Sequence, residues 1–144
     1  MIDDTSARRT IVIAGILGVI GIICASISAH GLENLLVKME YSPELIDKRL
    51  DQFDIGVRYH LLHTVALVAV AAIPFGSPNV RRWVGRFMIA GILLFSGSLY
   101  ALVLTNRTEL GMVTPLGGLC WIVAWSALIG MAYRSKSPPR PEQP

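Results

Sequence analysis

The sequence predicts an all-α membrane protein: a four-transmembrane-helix bundle with an amphipathic helical segment before the second span. Three observations carry that prediction. Hydrophobic residues make up 53% of the chain and charged residues 16%, where a soluble domain averages about 25% charged. Four apolar runs follow one another, each long enough to cross a hydrocarbon core of about 30 Å at about 1.5 Å per residue. Hydroxyl-proline pairs at Ser42-Pro43, Ser77-Pro78 and Thr114-Pro115 give three helix starts, an N-cap side chain followed by a ring that is preset for the first turn.

The 144 residues suit one domain. Residues 1–9 read as a polar tail. Residues 10–134 read as the transmembrane domain, with spans at about 10–30, 55–75, 86–105 and 113–133 and an outer connection over 31–54. Residues 135–144, Ser-Lys-Ser-Pro-Pro-Arg-Pro-Glu-Gln-Pro from Ser135 to Pro144, are too proline-rich and polar to fold and are predicted disordered.

Thr10 to Ala29 is free of charge. It is longer than a signal-peptide core of about 7–15 residues, so it is predicted to remain as a span rather than to be cleaved. Ala14, Gly18, Gly21, Ala25 and Ser28 recur every three or four residues, which lines one face with small side chains and lets another backbone approach.

The next stretch changes character, since Glu33, Glu40, Glu44, Asp47, Asp51 and Asp54 fall within it. After Ser42-Pro43-Glu44 a helix is expected to begin at the interface, with Leu45, Leu50, Phe53 and Val57 as its apolar stripe. It should continue into the second span as far as Pro74-Phe75-Gly76.

Arg81, Arg82, Trp83 and Arg86 then form a basic and aromatic anchor ahead of the third span. That span carries Ser96-Gly97-Ser98 and Tyr100, the most polar patch of the four. Asn106 to Gly111 reads as a polar turn. The fourth span has a second small-residue seam at Gly117, Cys120, Ala124 and Ala127. Trp121 and Trp125 are expected on another face, against lipid or a partner. Cys24 and Cys120 lie in separate apolar runs and read as reduced, buried residues.

Four spans place both termini on one side. Arg8, Arg9, Arg81, Arg82, Arg86, Arg134, Lys136 and Arg140 fall there, against Lys38, Lys48, Arg49, Arg58 and Arg107 opposite. Eight basic residues against five puts the termini in the cytoplasm by the positive-inside rule. The same scatter of charge argues against a nucleic-acid partner, despite a net charge of +3.

The candidate functional or structural polar cluster is His30, His60, His63, Ser96, Ser98, Tyr100 and Thr114. Two imidazoles three residues apart inside an apolar run are costly at membrane depth and should face protein. Counting inward from Ile55 and Thr105 puts His63 level with Ser96 to Ser98, about 12 Å deep. His63 is therefore expected to bond Ser96, Ser98 or Tyr100 across helices and to serve packing rather than titrate. His30, at the end of its span, is hydrated or caps the first helix's carbonyls.

Ser-Ala-His30-Gly-Leu, Tyr59-His60-Leu-Leu-His63-Thr-Val-Ala-Leu, Leu-Phe95-Ser-Gly-Ser-Leu-Tyr100 and Thr114-Pro-Leu-Gly-Gly118 together resemble the small bacterial membrane proteins catalogued as domain of unknown function 423. Transmembrane protein 256 of eukaryotes looks like a distant relative. The resemblance touches all four spans and implies a four-helix inner-membrane protein, without implying an activity. The chain has Cys24-Ala-Ser-Ile-Ser-Ala-His30 where that family commonly has Gly-Ala-Phe-Gly-Ala-His, and Ala124-Trp125 where Gly-Trp is common.

Catalysis is not expected, because no serine elbow, phosphate loop or metalloprotease motif is present. His30 with His60 or His63 as a haem or metal ligand set is a weaker alternative, since no carboxylate or cysteine completes it. Transport of a small solute coupled to protons lacks an Asp or Glu within the spans. The sequence thus favours a non-enzymatic structural or accessory component with no cofactor. It is expected to be embedded in the lipid bilayer of the bacterial inner membrane, as a homo-oligomer or within a larger complex.

Overall fold

The computed structural model describes residues 4–134, so the expected disorder of 135–144 lies outside the described residues. Among them the chain is helical without strands. Helix α1 covers Asp4–His30, α2 Leu32–Lys38, α3 Pro43–Ala72, α4 Pro78–Gly91, α5 Gly97–Thr105 and α6 Thr114–Arg134. A π-helical turn at Ile92–Ser96 joins α4 to α5, and a 3-10 turn at Thr108–Met112 leads into α6. The four long helical runs are α1, α3, the α4–π–α5 unit, and α6 with its leading turn. These are the four membrane spans of the bundle.

Local sequence sets most boundaries. Ser42 caps α3 by accepting from the Leu45 amide at 3.4 Å, and Pro43 occupies the first position. Pro78 opens α4 in the same way, although Ser77 makes no side-chain cap. Thr114 departs from the expected N-cap: its hydroxyl bonds across to Ser98, with the Leu110 carbonyl farther off at 3.5 Å, because the preceding 3-10 turn already supplies helical carbonyls. Asn106, in the left-handed region at φ 54°, ends α5. Residues 4–9, expected as part of a tail, are instead the first turns of α1.

Gly76 turns the chain from α3 to α4 at φ 83°, and a Cβ there would stand 2.3 Å from Met131 Cγ. Arg81 closes the same corner by donating to the Ile73 carbonyl at 2.7 Å.

Helix α1 packs on α3, α3 on α4 and α5, and α6 on α4 and the π turn. Both small-residue seams are used inside the molecule. Ala14 is 1% exposed, and a Cβ on Gly21 would meet Leu61 Cδ2 at 2.6 Å, so α1 lies directly against α3. Ala124 is fully buried, and a Cβ on Gly117 would stand 2.4 Å from the Phe95 nitrogen and 2.9 Å from the Gly91 oxygen. Here two backbones touch, and only glycine fits. Ile11, Ile16, Val19 and Ile23 of α1 are exposed and present the apolar surface that lipid requires.

Two apolar clusters result. One joins Leu67, Val84, Met88, Ile92 and Trp121 with Ala14 and Leu17. The other gathers Leu32 and Leu36 of α2 over Ile46, Phe53, Val57, Leu102 and Val103. The buried stripe of α3 runs through Ile46, Arg49, Phe53, Gly56 and Val57. Leu45 and Leu50, expected on that stripe, sit at its edges, half-buried. Cys24 and Cys120 are free, and half-buried rather than buried.

Candidate functional site: a polar and aromatic centre between the helices

His60 and His63 are both buried, at 3% and 4% exposure, yet they face different neighbours. Residues three apart on a helix of 3.6 residues per turn differ by about 60° in direction. His60 turns toward α5 and α1. Its Nδ1 lies 3.2 Å from the Tyr100 hydroxyl, and its Nε2 is buried without a hydrogen-bond partner. The Tyr100 ring also packs on Phe53, with centroids 4.7 Å apart.

His63 turns toward α6. Its Nδ1 lies 2.9 Å from the Tyr59 carbonyl one turn earlier, so this nitrogen carries the proton and donates. Its ring lies flat on the Trp121 indole, with centroids 3.6 Å apart and planes at 4°. Tyr59 stacks on the same indole at 5.7 Å, and Phe95 meets it at 4.9 Å. The expected bond from His63 to Ser96, Ser98 or Tyr100 is therefore absent, and Tyr100 belongs to His60. Tyr59, one turn before His63, is the residue that meets Phe95, and Gly56 lies against Leu99 and Tyr100, so the counted depth of His63 is about one turn out of register and its direction around the axis is toward α6.

Trp121 is the residue that sequence reasoning missed. It was expected on a lipid or partner face with Trp125, but it is 5% exposed while Trp125 is 47% exposed. Its Nε1 donates to the Met88 carbonyl at 3.2 Å. Gly91 makes the room, since a Cβ there would stand 2.1 Å from that nitrogen. The available signal was Trp121 lying between Gly117 and Ala124, one residue from Cys120 in the small-residue seam.

Ser98 donates to the Phe95 carbonyl at 2.9 Å, and its oxygen accepts from Thr114 Oγ1 at 2.8 Å. Ser96, in the π turn, is fully buried, and its hydroxyl has no partner. His30 is exposed at the end of α1, apart from this centre. Thr64 donates to the His60 carbonyl at 2.8 Å. Among the described residues no three His, Cys, Asp or Glu gather within reach of one metal ion.

A second polar feature lies at the loop end. Arg49 is 3% exposed and donates to Gln52 Oε1 at 2.7 Å and to Asn106 Oδ1. Its Nε is buried without a partner. Sequence counting took Arg49 only as one of the basic residues opposite the termini. Its phase with Ile46 and Phe53, three and four residues away, was the signal that it faces inward.

Comparison with known proteins agrees with this architecture. Residues 24–118 match the family described as "Protein of unknown function (DUF423)". The UPF0382 membrane protein YwdK of Bacillus subtilis is 34% identical over 129 residues, covering 86% of this chain and 95% of that protein. A UPF0382 membrane protein of Haemophilus influenzae is 33% identical, covering 81% and 90%. The UPF0382 inner membrane protein YgdD of Escherichia coli is 27% identical, covering 91% and 94%. No solved structure matches. By the extent of these matches, the four-helix chain belongs to the DUF423 family of membrane proteins.

Proposed function

We propose that this protein is a non-enzymatic membrane component, either structural or accessory to a larger membrane complex. The observation that carries the reading is that the buried imidazoles are held by groups of the same chain. His63 is spent on the Tyr59 carbonyl and the Trp121 ring, and His60 contacts the Tyr100 hydroxyl. Side chains bound this way fix helix azimuth and depth. One nitrogen of each ring, Nδ1, is thereby engaged within the chain.

The same reading sets the protein in the bacterial inner membrane, in keeping with the Escherichia coli inner membrane relative, with both termini in the cytoplasm, supported by the basic-residue asymmetry. Reporter fusions at Lys48 and at the C-terminus test this: a C-terminal fusion active outside contradicts the orientation, and activity of both from one side contradicts the four spans.

Gentle-detergent extraction followed by native gel separation and a pull-down tests the role. The expected result is a defined assembly that contains this chain and survives His63→Phe. A Soret band, stoichiometric metal, or solute flux in liposomes that is lost on changing His60 or His63 overturns the proposal.

A further inference from the structure

Arginines concentrate on the membrane face where α1 begins and α3 turns into α4. Arg81 is occupied there by the Ile73 carbonyl. Arg9, Arg82 and Arg86 line a cleft of about 390 Å³ between α1 and α4, with Ser6 beside them. Ile13 and Ile89 also line it, and each lies one helical turn inward from Arg9 and Arg86 respectively. Among the described residues, none that lines it is acidic. Arg8 borders an adjoining groove with Val12.

The position of the cleft decides its occupant. Trp83 is 56% exposed and marks the interfacial level, and the Arg86 guanidinium stands 5.0 Å over its ring. Arg82 donates to Asn79 Oδ1, so it reaches the cleft from a tethered side chain. The mouth is therefore held at headgroup depth, while the Ile13 and Ile89 level faces hydrocarbon. Water suits the mouth but not the deeper half, so the occupant must be charged above and apolar below. Guanidinium groups match phosphate oxygens in a planar, paired geometry. A choline or ethanolamine headgroup would add a further cation beside three arginines, with no acid among the described lining residues to receive it.

We propose that the α1–α4 cleft binds one anionic phospholipid. Arg9 and Arg86, with Arg82, hold its phosphate, and its acyl chain runs along Ile13 and Ile89. Basic clefts between membrane helices are suited to such headgroups.

The test is native mass spectrometry of the full-length protein in detergent with equimolar phosphatidylglycerol and phosphatidylcholine. The wild type should retain phosphatidylglycerol with a preference of about thirtyfold, the worth of two basic groups beside an anionic headgroup. Arg9→Gln and Arg86→Gln should each cut that preference about fivefold, and the double variant should abolish it. Arg58→Gln, an exposed residue paired with Asp54 near the other membrane face, should leave it unchanged. Inorganic phosphate at millimolar concentration should not displace the lipid. Equal retention of the two lipids overturns the proposal, as does an equal loss in Arg58→Gln. Displacement by phosphate alone overturns it in favour of a free-anion site.

Discussion

The seam between α4 and α6 and the corner where α2, α3 and α5 meet are both buried, yet they are built from opposite materials. At the seam, Gly117 touches the backbone at Phe95 and Gly91, and flat rings fill the adjoining space. At the corner, Leu32, Leu36 and Phe53 form an apolar cluster, and the buried Arg49 shares its guanidinium between the amide side chains of Gln52 and Asn106. The difference follows from surroundings. Between lipid-facing helices there is no water to expel, so contact distance and dispersion supply the attraction. At the loop end the chain must close irregular backbone, and a multidentate donor does this well.

Changes at the seam should be the most damaging. Gly117→Val places a side chain against backbone that cannot yield, and a loss of at least about 3 kcal/mol is expected in detergent unfolding. Gly97→Ala and Gly130→Ala, where a Cβ meets nothing within 4 Å, should be tolerated. A comparable loss in these controls would mean that helical glycines matter for flexibility rather than for approach.

The corner should break in a different way. Asn106→Ala removes the acceptor for a buried guanidinium and places alanine at positive φ, costing about 2 kcal/mol. Arg49→Met removes the charge and its needs together, and should cost less than Asn106→Ala. The reverse order, by chemical denaturation, would mean that Arg49 contributes through its charge.

Most of the helical plan was legible because apolar run length and proline-led starts are local signals. Ser42-Pro43 and Ser77-Pro78 begin α3 and α4 as read, and both small-residue seams face other helices. The internal partners were less legible. Depth counted from two assumed interface residues carries an error of about a turn and says nothing of azimuth, which is why Tyr100 was offered to His63 although it meets His60. The π turn at Ile92–Ser96 has no short-range signature, and it shifts the phase of everything after it. Arg49 was read by its charge before its periodicity, and Trp121 by its pairing with Trp125 rather than by its place in a seam.

Tyr100→Phe keeps the ring against Phe53 but removes the hydroxyl from His60. A loss of about 1 kcal/mol is expected, smaller than either loss above. No loss would place the value of this contact in the ring alone.

The claim that the centre is a packing device is tested most directly by thermal unfolding of His63→Phe and His63→Gln in the same detergent. Phenylalanine keeps a flat ring on Trp121, whereas glutamine keeps hydrogen-bonding groups and loses the stack. Stacked ring pairs are worth about 0.5–1.5 kcal/mol, so His63→Phe should unfold close to the wild type and His63→Gln clearly below it. A glutamine variant as stable as the wild type, beside a destabilised phenylalanine variant, would contradict the account and return His63 to a polar role.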